Sequence, residues 1–137
     1  MTLATTTDDS RGPLLKVEDL SVSFRTEEGV VRAVEHVSFE VYPGEMLGVV
    51  GESGCGKSVT AMSLLRLIPR PPGRIESGKA WFDGRDLLSL PVAELRKVRG
   101  RGIGMIFQEP MTALSPLHRI GRQMVETLQF HHDLDRS

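Results

Sequence analysis

The chain has 137 residues, room for one ordinary domain and not two. Its 17 basic and 18 acidic side chains leave a formal net charge of −1, which argues against a protein held to nucleic acid mainly by phosphate contacts. With 39% hydrophobic and 26% charged residues most of the chain is expected to fold, and its one cysteine, Cys55, excludes an intramolecular disulfide or a cysteine-based zinc cage and fits a reducing compartment.

Residues 1–13 are rich in threonine, lack the apolar core of a secretion signal, and read as a disordered, solvated tail. No apolar run approaches the ~18–20 residues that cross a bilayer. Leu20, Val22 and Phe24 alternate with Ser21 and Ser23, the period of a strand. Thr26-Glu27-Glu28-Gly29 reads as a turn, residues 30–34 as a second strand, and Val37, Phe39 and Val41 as further alternation. Two or three antiparallel strands are therefore expected at the front, closed by Pro43-Gly44.

The pattern changes at Met46. Met46-Leu47-Gly48-Val49-Val50 is continuously apolar or small, as suits a strand of a parallel sheet covered on both faces. A glycine-rich loop follows, and then Ala61, Met62, Leu64, Leu65 and Ile68 recur at helical spacing until Pro69 and its neighbours stop the helix. Residues 79–82 and 85–88 flank Asp83-Gly84 as a hairpin with a primed turn. Pro91 introduces a helix over residues 92–99, which Gly100 and Gly102 end. Ile103-Gly104-Met105-Ile106-Phe107 is a second candidate for a buried strand, and Ile120, Met124 and Leu128 mark an amphipathic helix to about Phe130.

Gly51-Glu52-Ser53-Gly54-Cys55-Gly56-Lys57-Ser58 fits G-x-x-x-x-G-K-[ST], the phosphate-binding loop, with the strand before it and the helix after it that the motif requires. Glycines let the backbone wrap close to phosphate oxygens. The wrapped N–H groups form an anion nest, and the following helix adds its positive N-terminus. In this reading Lys57 reaches the β- and γ-phosphates and the Ser58 hydroxyl ligates Mg²⁺.

Residues 15–130 resemble the front part of an ABC transporter ATP-binding subunit, most closely the peptide and nickel import branch. Val17-Glu18-Asp19-Leu20-Ser21-Val22-Ser23-Phe24 with Val31-Arg32-Ala33-Val34 is similar to that branch's opening strands. Pro43-Gly44-Glu45 running into the loop resembles its Walker A segment. Ile106-Phe107-Gln108-Glu109-Pro110-Met111-Thr112-Ala113-Leu114-Ser115-Pro116 resembles its Q-loop. The resemblance implies an α/β fold of the P-loop NTPase type: an antiparallel β subdomain in front, then the first strands of a parallel core sheet with helices, from an incomplete domain over residues 14–137. It implies ATP and Mg²⁺ as ligands, held by Gly51 to Ser58 with Val59. Phe24 falls at the adenine-stacking aromatic, although Leu20 and Val22 share its face and a core-facing role stays open. Gln108 falls at the glutamine that approaches Mg²⁺ and the attacking water, so Lys57 and Gln108 are the catalytic candidates and Ser58 and Gln108 the metal candidates. Membrane-spanning permease subunits and a second ATP-binding subunit are the implied partners, at the cytoplasmic face of the cell membrane.

Other features have plainer readings. Cys55 is a small residue at a free loop position, Trp81 a packing residue of the hairpin, and His131-His132 a solvated helix end. Arg96, Lys97, Arg99 and Arg101 form a basic run at a helix end. No apolar run ending in Asp-Glu, no L-S-G-G-Q signature and no downstream switch histidine occurs in these 137 residues. The family carries them further along, so turnover by this chain alone is doubtful. Two functions follow: an ATPase component that drives import of peptides or nickel, and a truncated module that binds ATP without turnover. The absence of N-K-x-D argues against a GTPase, and the Q-loop stretch against a small-molecule kinase. Missing core strands would leave edges and apolar faces exposed, and a marginally stable chain is expected.

Overall fold

A computed structural model describes residues 2–4, 12–109 and 114–131. The chain divides into two units, one up to Leu90 and one from Pro91.

The first unit is built on a four-stranded antiparallel sheet. Strand β1 is Thr2–Ala4, β2 Leu15–Thr26, β3 Gly29–Val41, β4 Gly48–Val50, β5 Gly73–Phe82 and β6 Arg85–Asp86, and helix α1 is Lys57–Leu64. The large sheet runs β3-β2-β5-β6. Its first hairpin turns at Glu27-Glu28, where the Thr26 hydroxyl donates to the Gly29 carbonyl at 2.9 Å. The β5–β6 hairpin turns at Asp83 (φ 50°) and Gly84 (φ 70°), the primed geometry that the Asp-Gly pair favours. Tyr42 and Glu45 close the next turn, with the Glu45 amide on the Tyr42 carbonyl at 3.1 Å and Gly44 at φ 78°.

The apolar side chains Val17, Leu20, Val22, Val34, Ala80 and Leu87 are buried, as are Leu64, Leu65 and Ile68 around α1. Helix α1 lies on β2 and β3. It stops earlier than its apolar spacing implies. Arg66, at φ 52°, turns the chain while its amide bonds the Ser63 carbonyl and the Leu67 amide bonds the Met62 carbonyl. This paired C-terminal bonding ends the helix before the prolines are reached, and Ile68 still buries itself beyond it.

Three sequence expectations change. Within the stretch read as a solvated tail, Thr2–Ala4 forms an antiparallel ladder with Gly48–Val50. Residues 46–50 are not a strand covered on both faces. Only Gly48–Val50 is extended, Met46 is 89% exposed and Val50 68%. Such burial needs a neighbour on each edge and a helix over each face. Among the described residues the ladder partner of β4 is β1 alone. Residues 103–107 likewise form no strand. Ile103 makes one isolated parallel bridge to Arg99, and Ile106 is 91% exposed.

The second unit holds α2, Val92–Val98, and α3, Ile120–His131. Pro91 directly precedes α2, and its carbonyl accepts the Glu94 and Leu95 amides. Leu95 and Val98 are buried. Arg96 and Lys97 occupy the last turn, where cations oppose the helix dipole, and Lys97 pairs with Glu94 at 2.7 Å. Gln123 ties α3 to the turn before it, donating to the Ser115 and His118 carbonyls at 3.1 and 2.9 Å and accepting from the Ser115 amide at 2.9 Å.

One half-buried patch of the large sheet couples an indole to a carboxylate. The Trp81 indole N–H donates to Glu18 at 2.8 Å, and Lys16 stands 3.1 Å from the same carboxylate. The Trp81 hydrogen bond and then Lys16 hold the Glu18 carboxyl below the usual carboxylate range. A lowered folded pKa gives stability that is present above the ordinary value of about 4.3 and lost as pH falls through the folded one. Trp81 fluorescence is therefore expected to change at a pH below that ordinary value, and Glu18→Gln to abolish the change. A transition unaltered in Glu18→Gln would refute the assignment.

Candidate phosphate-binding loop

Strand β4 delivers the chain to Gly51, and α1 takes it away from Lys57. Between them residues 51–56 form the loop that the motif predicts. Gly54 (φ 82°) and Gly56 (φ 88°) both lie in the left-handed region. Around Gly54 there is open space. Gly56 is buried, and a Cβ added to it would overlap the backbone carbonyl oxygen of Ala33 on β3. Only a residue without a side chain lets the loop approach the sheet this closely.

Gly56 stands at the N-cap of α1 and supplies no side chain to cap it. The first turn holds no acidic residue. Its leading amides are thus not met by a side chain of the cap, and the positive end of the helix has no carboxylate of its own to neutralise it. Thr60 secures the join from inside. Its amide and its hydroxyl both donate to the Gly56 carbonyl, at 2.8 and 2.9 Å.

The Lys57 ammonium folds back over the loop, donating to the Gly51 and Glu52 carbonyls at 2.7 and 2.6 Å and lying 3.5 Å from Cys55 Sγ. The Cys55 amide donates to the Glu52 carbonyl at 3.3 Å. One cation thus braces the two ends of the loop. An anion placed in the loop offers that ammonium stronger, charge-assisted acceptors than carbonyls. Ser58 is exposed one residue into the helix, where its hydroxyl is free to meet a cation bound with a phosphate. Glu52 and Ser53 are exposed, Val59 is half-buried, and Cys55 is a half-buried free thiol.

The remaining candidates lie on other elements. Phe24 is half-buried on β2, opposite Val31 and Gly73, and a Cβ at Gly73 would come 2.9 Å from its ring. Its ring thus packs against β5 on one side and keeps some surface exposed. Gln108 belongs to the second unit, where it is exposed in a bend after residues 104–107. Pro110, Met111, Thr112 and Ala113 of the Q-loop stretch lie outside the described residues, as does His132. Two contributors escaped the sequence reading. Ala33 supplies the wall behind Gly56, and Thr60 anchors the loop's last carbonyl. Neither carries a motif signature, since Ala33 acts through its backbone.

Residues 34–136 match the family described as ABC transporter. Over 124 residues the chain is 53% identical to a probable peptide ABC transporter ATP-binding protein of Sinorhizobium fredii, covering 90% of this chain and 37% of that protein. It is 57% identical over 119 residues to the peptidoglycan transport ATP-binding protein YejF of Agrobacterium fabrum, covering 87% and 22%. It is 47% identical over 123 residues to the oligopeptide transport ATP-binding protein OppD of Bacillus subtilis, covering 90% and 34%. The chain thus spans about a third or less of the length of these relatives. Two solved structures share its fold. One is a bacterial ABC transporter cassette solved as a dimer, at TM-score 0.68 and 21% identity. The other is a dimeric ATP-binding cassette in a post-hydrolysis state with ADP and Pi, at TM-score 0.65 and 19% identity. Each covers 90% of this chain and 50% of the other.

The two left-handed glycines should respond differently to substitution. Gly54→Ala meets backbone strain alone, about 1–2 kcal/mol. Gly56→Ala meets the same strain plus overpacking against Ala33, a further ~1–3 kcal/mol. Urea unfolding of the two variants is expected to rank them in that order, and equal losses would contradict the close approach.

Proposed function

The chain belongs to the ABC transporter family, and on that premise we propose that it is the front part of the ATP-binding component of a peptide importer, running from the Walker A loop into the Q-loop over residues 14–137. The observation that carries the reading is the loop at residues 51–58, preformed against β3, with Lys57 on its carbonyls and no side-chain cap on α1. The donor set fits a Mg-nucleoside triphosphate: backbone N–H groups, one ammonium and one hydroxyl. Residues Gly51 to Ser58 with Val59 would hold the phosphates, with Lys57 on the β- and γ-phosphates. Ser58 would ligate Mg²⁺. When bound, Mg²⁺ supplies charge neutralisation along the triphosphate. Phe24 is assigned to the adenine face and Gln108 to the Mg²⁺ and the attacking water, as the resemblance implies.

Peptide is the cargo class because the names of the relatives refer to peptide, oligopeptide or peptidoglycan transport. Membrane-spanning permease subunits are the partners such a component requires. No helix of the described residues is long and apolar enough to cross a membrane, so docking to a spanning partner is how it would reach the cytoplasmic face. A second ATP-binding subunit is the other partner, and both solved neighbours are dimers.

Calorimetric titration with Mg-ATP tests the reading. A charge-assisted hydrogen bond of about 1.5–3 kcal/mol makes Lys57→Ala about 10–100-fold weaker than the parent. Equal affinity in parent and variant would remove the loop from the site.

A further inference from the structure

Strands β2 and β3 pair irregularly where they face the loop. Between the Val17–Phe39 and Leu20–Val37 pairs, β2 carries one extra residue. Between Leu20–Val37 and Val22–Val34, and again before Ser23–Arg32, the extra residue is on β3. Asp19 and His36 mark two of these bulges, each at φ 50°, and Ala33 falls in the third. A left-handed residue other than glycine is uncommon, and Asp and His are among those that tolerate it.

These two residues lock each other. The Asp19 amide donates to Ser38 Oγ at 2.9 Å, and the His36 amide donates to Ser21 Oγ at 3.0 Å. His36 Nδ1 lies 2.6 Å from Asp19 Oδ1. The Ser77 hydroxyl holds the Asp19 carbonyl at 3.0 Å, and Gly78 packs against the same bulge, where a Cβ would strike the Leu20 backbone. The segment that the lock shapes is the one lying on the loop. Residues 33–38 of β3 line a cavity of about 390 Å³ whose other wall is Cys55 and Thr60, and the Ala33 carbonyl abuts Gly56.

We propose that Asp19 and His36 are positioning residues of the phosphate loop: their paired bulges set where the Ala33 carbonyl stands, and so where Gly56 and the amides after it point. Bulges bend a strand and re-aim its groups, and here the re-aimed group is the one the loop rests on. Neither residue belongs to the loop itself, residues 51–58. The proposal rests on the function proposed above for the identity of the loop's ligand.

The test compares the parent full chain with His36→Ala, His36→Asn and Ser21→Ala, reading Mg-ATP affinity, melting midpoint and the Gly56 amide resonance without nucleotide. Asn tolerates the left-handed backbone and keeps a polar group for Asp19, whereas Ala does neither. His36→Ala is expected to bind about tenfold more weakly. It should shift the Gly56 resonance, and His36→Asn should restore both. Ser21→Ala leaves the φ 50° residue in place and should move the same resonance in the same direction. Thr26→Ala, at the turn of the β2–β3 hairpin, should leave it unmoved. Parent-like affinity with an unmoved Gly56 resonance in His36→Ala would overturn the proposal. So would a loss of affinity that follows melting alone and is not restored by Asn. If the parent binds no ATP, the proposed function fails instead, and the Gly56 resonance alone decides the positioning.

Discussion

The site depends on one close approach, between the Gly56 backbone and the Ala33 carbonyl. The features on which the proposed phosphate site at residues 51–58 rests follow from it. The left-handed turn at Gly56 starts α1, Thr60 fixes the Gly56 carbonyl from within the helix, and Lys57 spans the loop from the first helical position. A side chain at position 56 would push the loop off the sheet and turn the leading amides of α1 away from a common focus. The sheet therefore does more than support the loop. It supplies the surface that forces one residue to be glycine.

The electrostatics are arranged with the same economy. The first turn of α1 lacks a carboxylate, and its cap lacks a side chain that would satisfy the amides. Lys57 spends its charge on neutral carbonyls, which compete weakly with a phosphate. Two acidic groups of the sheet are engaged elsewhere: Glu18 by Trp81 and Lys16, Glu76 by Ser23 and Arg74. The charge balance of the whole chain, near zero, hides this separation.

What could be read from the sequence was chemistry that resides in residue types. The loop motif, the Asp83-Gly84 hairpin, the strand at Leu20 to Phe24 and the start of α3 at Ile120 all depend on local patterns, and they stand in the structure where those patterns place them. What escaped depends on partners distant in sequence. The end of α1 is set by bonding at Arg66 rather than by Pro69. Residues 46–50 and 103–107 carry the composition of covered strands, but coverage is a property of neighbours, and only Gly48–Val50 pairs, with Thr2–Ala4. The bulges at Asp19 and His36 shift the apolar alternation by one residue, from Val17 to Leu20 and from Val34 to Val37, but such a shift reads equally as a break between two strands. Gly56 was legible as part of a motif. Its contact with Ala33 was not, because alanine contributes only backbone there.

The account stands on the claim that residues 51–58 hold the phosphates of a nucleotide, and phosphorus NMR of Mg-ATP in the presence of the chain tests it most directly. The account predicts that the β- and γ-phosphorus lines shift or broaden in proportion to added protein, with the α line affected less. Unchanged phosphorus lines at protein concentrations that perturb the adenine protons would place the nucleotide elsewhere and contradict it.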